Sequence, residues 1–136
     1  MALNSDLDPY TRSRNNDKIQ GESNFTLLAG TSNPDLAQGI ARRLGVDLAK
    51  GSVKKFADGE TAVSFNAKDV SGKHCYIVQP TSRPVNDNLM QLILMVSACK
   101  RSGAASVTVV VPYFGYARQD RRFKNQAVPI SSADVS

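Results

Sequence analysis

The chain has 136 residues, one domain's worth, and its 41% hydrophobic and 21% charged residues are ordinary for a soluble globular protein. No apolar run approaches the roughly 20 residues of a membrane-spanning helix, so no membrane partner is expected. The net charge is +5; residues 1–24 carry three bases against four acids, a local −1, which leaves +6 on residues 25–136 and suits phosphate-bearing partners, small or polymeric.

Residues 1–24, MALNSDLDPYTRSRNNDKIQGESN, lack the apolar block of a secretory signal, and their acids argue against a mitochondrial transit segment. They read as a disordered polar extension. Cys75 and Cys99 are isolated thiols without C-x-x-C spacing, which signals neither zinc nor a redox motif and fits a reducing cytoplasm. His74 is the only histidine, and its neighbour Cys75 would point to the opposite face of a strand. A metal site needs three or four convergent ligands, so this pair does not make one.

FTLLAG (Phe25–Gly30) reads as a short buried strand. TSNPDLAQGIARRLG then opens with a Ser32/Asn33 cap and Pro34 at the first helical position; Leu36, Ile40 and Leu44 recur on one face, and Gly45 stops the helix. VKKFADGETAVSFN reads as a hairpin turning on the two-residue loop Asp58-Gly59, with Val63 and Phe65 on its buried face. HCYIVQP (His74–Pro80) is another strand. The helix that follows, from about Asn86 to Arg101, is apolar almost all round between Leu89 and Cys99. One sheet face needs one stripe, so a second partner is implied, either internal or a neighbouring subunit. ASVTVVVP (Ala105–Pro112) has the continuous β-branched run of a strand buried on both faces of a parallel sheet. Strand, helix, hairpin, strand, helix, strand is an α/β plan with crossover helices. In VPISSADVS, Ser131 reads as an N-cap with Asp134 three residues on, so the chain is expected to be cut short within a helix's first turn.

Three segments can carry chemistry. VPYFGYARQDRRF (Val111–Phe123) leaves the carboxyl end of a strand, where open α/β sheets bind ligands. Arg118 and Gln119 can hydrogen-bond phosphate or a base edge, and a guanidinium can stack on a purine. The same loop also reads as strand-end packing by Tyr113, Phe114 and Tyr116 with a solvated basic tail. KFADGE (Lys55–Glu60) is either a plain turn or a base-recognising device, with Asp58 and Glu60 accepting from an exocyclic amine and Phe56 stacking. In QPTSRPVND (Gln79–Asp87), Thr81, Ser82 and Arg83 either hold a phosphate or belong to ordinary loop chemistry between two prolines. Neither G-x-x-x-x-G-K-[ST] nor G-x-G-x-x-G occurs.

FADGE, IVQPTSRPVNDNLMQLILM, VPYFGYARQDRRF and VPISSADV, in this order, resemble the amino-terminal half of ribose-phosphate diphosphokinases, the phosphoribosyl pyrophosphate synthetases. The resemblance covers about residues 25–136. It implies a three-layer α/β domain with a mostly parallel sheet and a β-hairpin flap, phosphoribosyltransferase-like and here truncated at the C-terminus. A second such domain would be absent. It further implies a homo-oligomer, a dimer or larger ring, that transfers the diphosphoryl group of Mg-ATP to the 1-hydroxyl of ribose 5-phosphate, giving AMP and phosphoribosyl pyrophosphate for nucleotide biosynthesis. ATP enters as substrate, with Mg²⁺. By carry-over, Phe56, Asp58, Gly59 and Glu60 resemble the adenine-recognising hairpin, which reaches a neighbouring subunit's site. Arg118 and Gln119 resemble the ATP-binding pair, and Asp120, Arg121 and Arg122 the adjoining loop near the triphosphate.

The departures are also specific. The family's Asp-Leu-His metal motif, its catalytic lysine–arginine loop and its ribose-phosphate Asp-Asp motif do not occur in these 136 residues. No catalytic or metal residue is therefore assigned to this chain, which is expected to be inactive alone. Ser71-Gly72 stands where many members have Arg-Gly, which puts the family's regulatory phosphate site in question, and KNQAV (Lys124–Val128) is less charged than usual. Two other readings remain: a non-catalytic associated subunit of the same family, and a nucleic-acid module. The latter fits poorly, because YFGYARQD is no RNA-binding signature and the basic residues form one short cluster.

Overall fold

The computed structural model describes residues 24–121, 124, 129 and 131–136. The expected extension thus lies outside the described residues except for Asn24, as do Arg122, Phe123 and residues 125–128. Asn24 already belongs to the fold, its carbonyl accepting the His74 N–H at 2.9 Å.

The elements run β1 (Phe25–Ala29), α1 (Pro34–Leu44), β2 (Gly51–Lys55), β3 (Thr61–Phe65), a single 3-10 turn (Ala67–Asp69), β4 (His74–Val78), α2 (Val85–Arg101), β5 (Ser106–Val110) and α3 (Ser131–Val135). β1, β4 and β5 form a parallel sheet in that spatial order, and β2–β3 is a separate antiparallel hairpin. The alternation of side chains across the sheet supplies two cores. Leu28, Cys75 and Ile77 face α2 through Leu92, Met95 and Cys99, with Val63 and Phe65 of the hairpin packed alongside. Leu27 and Val78 face α1 through Ala37 and Ala41. The result is the three-layer α/β arrangement expected.

Several expectations need correction. α1 begins as predicted: the Asn33 side chain accepts the Leu36 N–H at 3.0 Å, Pro34 is the first helical residue and Gly45 closes the helix at φ 69°. Its buried centre, however, is Ala37 and Ala41, with Leu36 and Ile40 flanking and Leu44 exposed. Small residues let the helix lie close on β1, and the larger ones splay to either side. The hairpin loop has three residues rather than two. Phe56 N–H donates to Glu60 O, Gly59 N–H donates to Phe56 O, and Gly59 sits at φ 92°. The Asp58 carboxylate accepts the Glu60 N–H at 3.0 Å, which fixes a longer turn than the dipeptide alone requires.

Among the described strands, β5 is an edge strand and leaves Val109 exposed; β4 is the central one. The apolar circumference of α2 is explained on one side by β3, while Met90 and Ile93 remain exposed. Ser131 is the first residue of α3 rather than its cap. The two cysteines are not isolated: both are fully buried in the one core cluster beneath α2. Burial raises both thiols, Cys99 to about 12 with Cys75 adding to the effect, so both are neutral. His74 lies apart from them, exposed and bonded to Ser106 Oγ at 2.7 Å. Among the described residues no three His, Cys, Asp or Glu side chains converge on a point, and no helix is long and apolar enough to cross a membrane.

On the α1 side the sheet is only partly covered. Phe25, Leu27, Ile40, Leu44, Tyr76, Val78 and Val110 line an apolar trough of about 360 Å³, with the Phe25 and Tyr76 rings edge to face at 6.0 Å.

Two glycines test this packing in opposite directions. A Cβ on Gly39, within α1, would meet nothing within 4 Å, whereas one on Gly30 would lie 2.1 Å from the buried Gln79 Oε1. Gly39→Ala is expected to raise stability by about 0.5–1 kcal/mol. Gly30→Ala is expected to lower it by about 1–3 kcal/mol. Denaturant midpoints of the two variants check the signs.

Candidate functional site

The carboxyl ends of β1 and β4 are held by one buried polar cluster. Gln79, fully buried just after β4, accepts at Oε1 from the Ser32 N–H (3.3 Å) and hydroxyl (3.0 Å). Its Nε2 donates to Asn88 O at 3.2 Å and Gln91 Oε1 at 3.1 Å. Gln91 Oε1 also accepts from the Thr31 hydroxyl at 2.9 Å, and Asn88 Nδ2 donates to Ser82 O at 2.8 Å. A buried amide is tolerated only when its donors and acceptors are used. Here each is, and no buried polar side-chain atom among the described residues lacks a partner.

Thr81 extends this brace to the loop after β5. Its N–H donates to Tyr113 O at 2.8 Å, and its hydroxyl donates to the same carbonyl at 3.2 Å while accepting the Gly115 N–H at 2.6 Å. Gly115 has no room for a side chain, since a Cβ would lie 2.7 Å from both Thr81 O and Val85 Cγ1. The next residue, Tyr116, takes a positive φ of 60°, and its hydroxyl donates to Asn86 Oδ1 at the start of α2. A left-handed tyrosine costs about 1–2 kcal/mol and persists where its surroundings hold it.

These locked turns enclose an open cavity of about 940 Å³ beyond the carboxyl ends of β4 and β5. Its wall includes Ser82, Arg83, Asn86, Tyr113, Tyr116, Arg118 and Gln119, with Ser131 of α3 at the rim. Among the described residues it is lined by two guanidinium groups and no carboxylate. Two acids on the flanking segments are engaged elsewhere. Asp87 binds Lys55 Nζ at 2.5 Å, which ties the hairpin to α2, and Asp120 binds Arg121 Nε at 3.3 Å. Both pairs are exposed, so each contributes about 0–1 kcal/mol.

The predicted residues divide accordingly. Arg118 and Gln119 line the cavity together with Ser82 and Arg83, so two of the three candidate segments meet. Gln119 also anchors α3, its Oε1 accepting from the Ser131 hydroxyl at 2.5 Å and its carbonyl from the Ser132 N–H at 3.3 Å. Asp120 and Arg121 lie outside the wall. So do Phe56, Asp58, Gly59 and Glu60, exposed at the hairpin tip. Thr81 is buried behind the wall and cannot itself meet a ligand. Tyr113 and Tyr116 are 60% and 40% exposed, so among the described residues they are cavity rim rather than strand-end packing. Sequence reasoning missed Asn86 as the Tyr116 partner and Gln79 as the centre of the brace. A glutamine at the end of an apolar strand was the available signal for the second.

Residues 25–136 match the family described as the N-terminal domain of ribose phosphate pyrophosphokinase, and the chain belongs to that family. It is 49% identical over 110 residues to the ribose-phosphate pyrophosphokinase of Vibrio parahaemolyticus, covering 81% of this chain and 35% of that protein. It is 48% identical over 114 residues to ribose-phosphate pyrophosphokinase 1 of Streptococcus pneumoniae, covering 84% and 35%. The chain thus spans about a third of the length of these curated relatives. The crystal structure of phosphoribosylpyrophosphate synthetase from Mycobacterium smegmatis superposes with a TM-score of 0.77 at 34% identity, over 83% of this chain and 37% of that one.

Thr81→Val keeps the shape and removes the hydroxyl. It is expected to cost about 1–3 kcal/mol by orphaning the Gly115 N–H. It should also speed hydrogen exchange at that amide, while Thr81→Ser keeps the protection. Equal exchange in all three proteins would show that the hydroxyl does not hold the loop.

Proposed function

We propose that this chain is the ATP-binding, amino-terminal part of a ribose-phosphate diphosphokinase. That activity transfers the diphosphoryl group of Mg-ATP to the 1-hydroxyl of ribose 5-phosphate, yielding AMP and phosphoribosyl pyrophosphate. The observation that carries the reading is the cavity itself. In a chain of this family, one site beyond the strand ends collects Arg118, Gln119, aromatic rings and a second arginine, with no carboxylate among the described lining residues to oppose an anion. Such a site binds and orients a nucleotide, and diphosphoryl transfer depends on positioning and charge neutralisation more than on covalent participation by the protein.

Arg118 would stack on or bond to the base, and Gln119 would hydrogen-bond beside it with its shape set by Ser131. Asp120 and Arg121 adjoin the seat, near the phosphate end. The Phe56–Glu60 tip does not line the cavity of its own chain, so a second copy supplies it: Phe56 stacks on the adenine, and Asp58 and Glu60 accept from its amine. The Gly59 turn shapes that tip. Magnesium arrives with ATP. No step of the transfer is assigned to a residue of this chain, because no described group is placed to activate the ribose hydroxyl or to gather a metal.

Calorimetry with Mg-ATP, paired with an assay for AMP release in the presence of ribose 5-phosphate, tests both halves. Saturable ATP binding without turnover is expected. No binding at millimolar ATP would contradict the nucleotide site; measurable AMP release would contradict the inactivity of the chain alone.

A further inference from the structure

We infer that Arg83 is a second anion-binding residue of the cavity, one that grips the phosphate chain of a nucleoside polyphosphate beyond its first phosphate. The inference rests on the nucleotide reading given above and names which side chain within that site counts phosphates.

Arg83 sits on the turn between β4 and α2, a segment whose backbone is fixed on both sides. Thr81 is pinned to Tyr113 and Gly115, the Ser82 carbonyl accepts from Asn88 Nδ2, and the Pro84 carbonyl accepts the Asn88 N–H at 3.1 Å. The side chain is therefore free while its base is rigid. Arg83 is exposed, lines the cavity with Arg118, and has no ion-pair or hydrogen-bond partner among the described residues. Arg118 is in the same condition. An arginine on a solvated turn is ordinary by itself. Two unpaired guanidinium groups lining one cavity are less so, because like charges repel and no carboxylate among the described wall residues relieves them. Of the acids on the flanking segments, Asp87 and Asp120 are committed to Lys55 and Arg121. Asp134, three residues beyond Ser131 on α3, is not part of the wall.

A nucleoside polyphosphate serves both, with its base against Arg118 and its anionic phosphates at Arg83. A guanidinium holds phosphate oxygens with two parallel N–H donors, and the Ser82 hydroxyl on the same turn supplies a neutral donor beside it. With Arg118 and Gln119 occupied by the nucleoside end, Arg83 is left for the outer phosphates. A monophosphate would not engage it.

The test compares the wild-type chain with Arg83→Ala and with Arg101→Ala, which removes the same charge from the far end of α2. ATP, AMP and inorganic tripolyphosphate are titrated into each by calorimetry. Arg83→Ala should weaken ATP and tripolyphosphate about tenfold or more and AMP less than about twofold, as loss of one charge-assisted phosphate contact requires. Arg101→Ala should change none of them beyond about twofold. Equal losses for ATP and AMP, or equal losses in the two variants, would overturn the assignment. If the wild-type chain binds tripolyphosphate but not ATP, the nucleotide reading fails, and Arg83 is judged on tripolyphosphate alone. If it binds neither, both fail.

Discussion

The walls of the cavity beyond the strand ends hang on the burial of one primary amide. Gln79 leaves the central strand with no solvent exposure and shares its oxygen with Ser32 and its nitrogen with Asn88 and Gln91. Leaving such an amide unpaired would cost about 1–3 kcal/mol per group. The β1 loop, the end of β4 and the first turns of α2 must therefore keep the one arrangement that satisfies it. Gly30 makes this possible by giving the amide the space a side chain would take. From that fixed point Thr81 reaches across to the β5 loop, and the two strand ends become one wall.

A rigid wall matters because the chemistry assigned to this family needs position more than reactivity. The cationic side chains of the cavity are exposed, while the turns that carry them are held by hydrogen bonds. Arg83 stands on a turn fixed through Asn88, and Arg118 follows Gly115 and the strained Tyr116. The hairpin behaves differently. It packs its β3 strand on α2 and is tied there through Lys55 and Asp87, yet sends Phe56 into solvent. An exposed aromatic held at a rigid tip is suited to entering another molecule's site, in keeping with the oligomer proposed.

Local chemistry in the sequence was a good guide wherever the structure is local. The Asn33-Pro34 start and Gly45 stop of α1 are backbone events within a few residues, and both stand where the residue types place them. The cavity-lining pair Arg118 and Gln119 was legible from position at a strand's end and from the family resemblance alike. What failed depends on contacts distant in sequence. The β-branched run of β5 fits a doubly covered strand, but its coverage is set by neighbours that its own residues do not specify. Cys75 and Cys99 look isolated because nothing in their spacing reports that a strand and a helix bring them together. Gln79 reads as a strand's end and Thr81 as a loop residue, because a polar side chain there carries no sign of being enclosed.

The central claim is that the braced ends of β4 and β5 form a single seat for a nucleotide. Amide resonances of the ¹⁵N-labelled chain, followed while Mg-ATP is added, test it most directly. The account predicts that Ser82, Arg83, Val85 and Asn86 shift with Tyr113–Gln119 along one binding isotherm. Shifts confined to Leu27, Tyr76 and Val110 in the apolar trough, or different isotherms for the two strand ends, would contradict it.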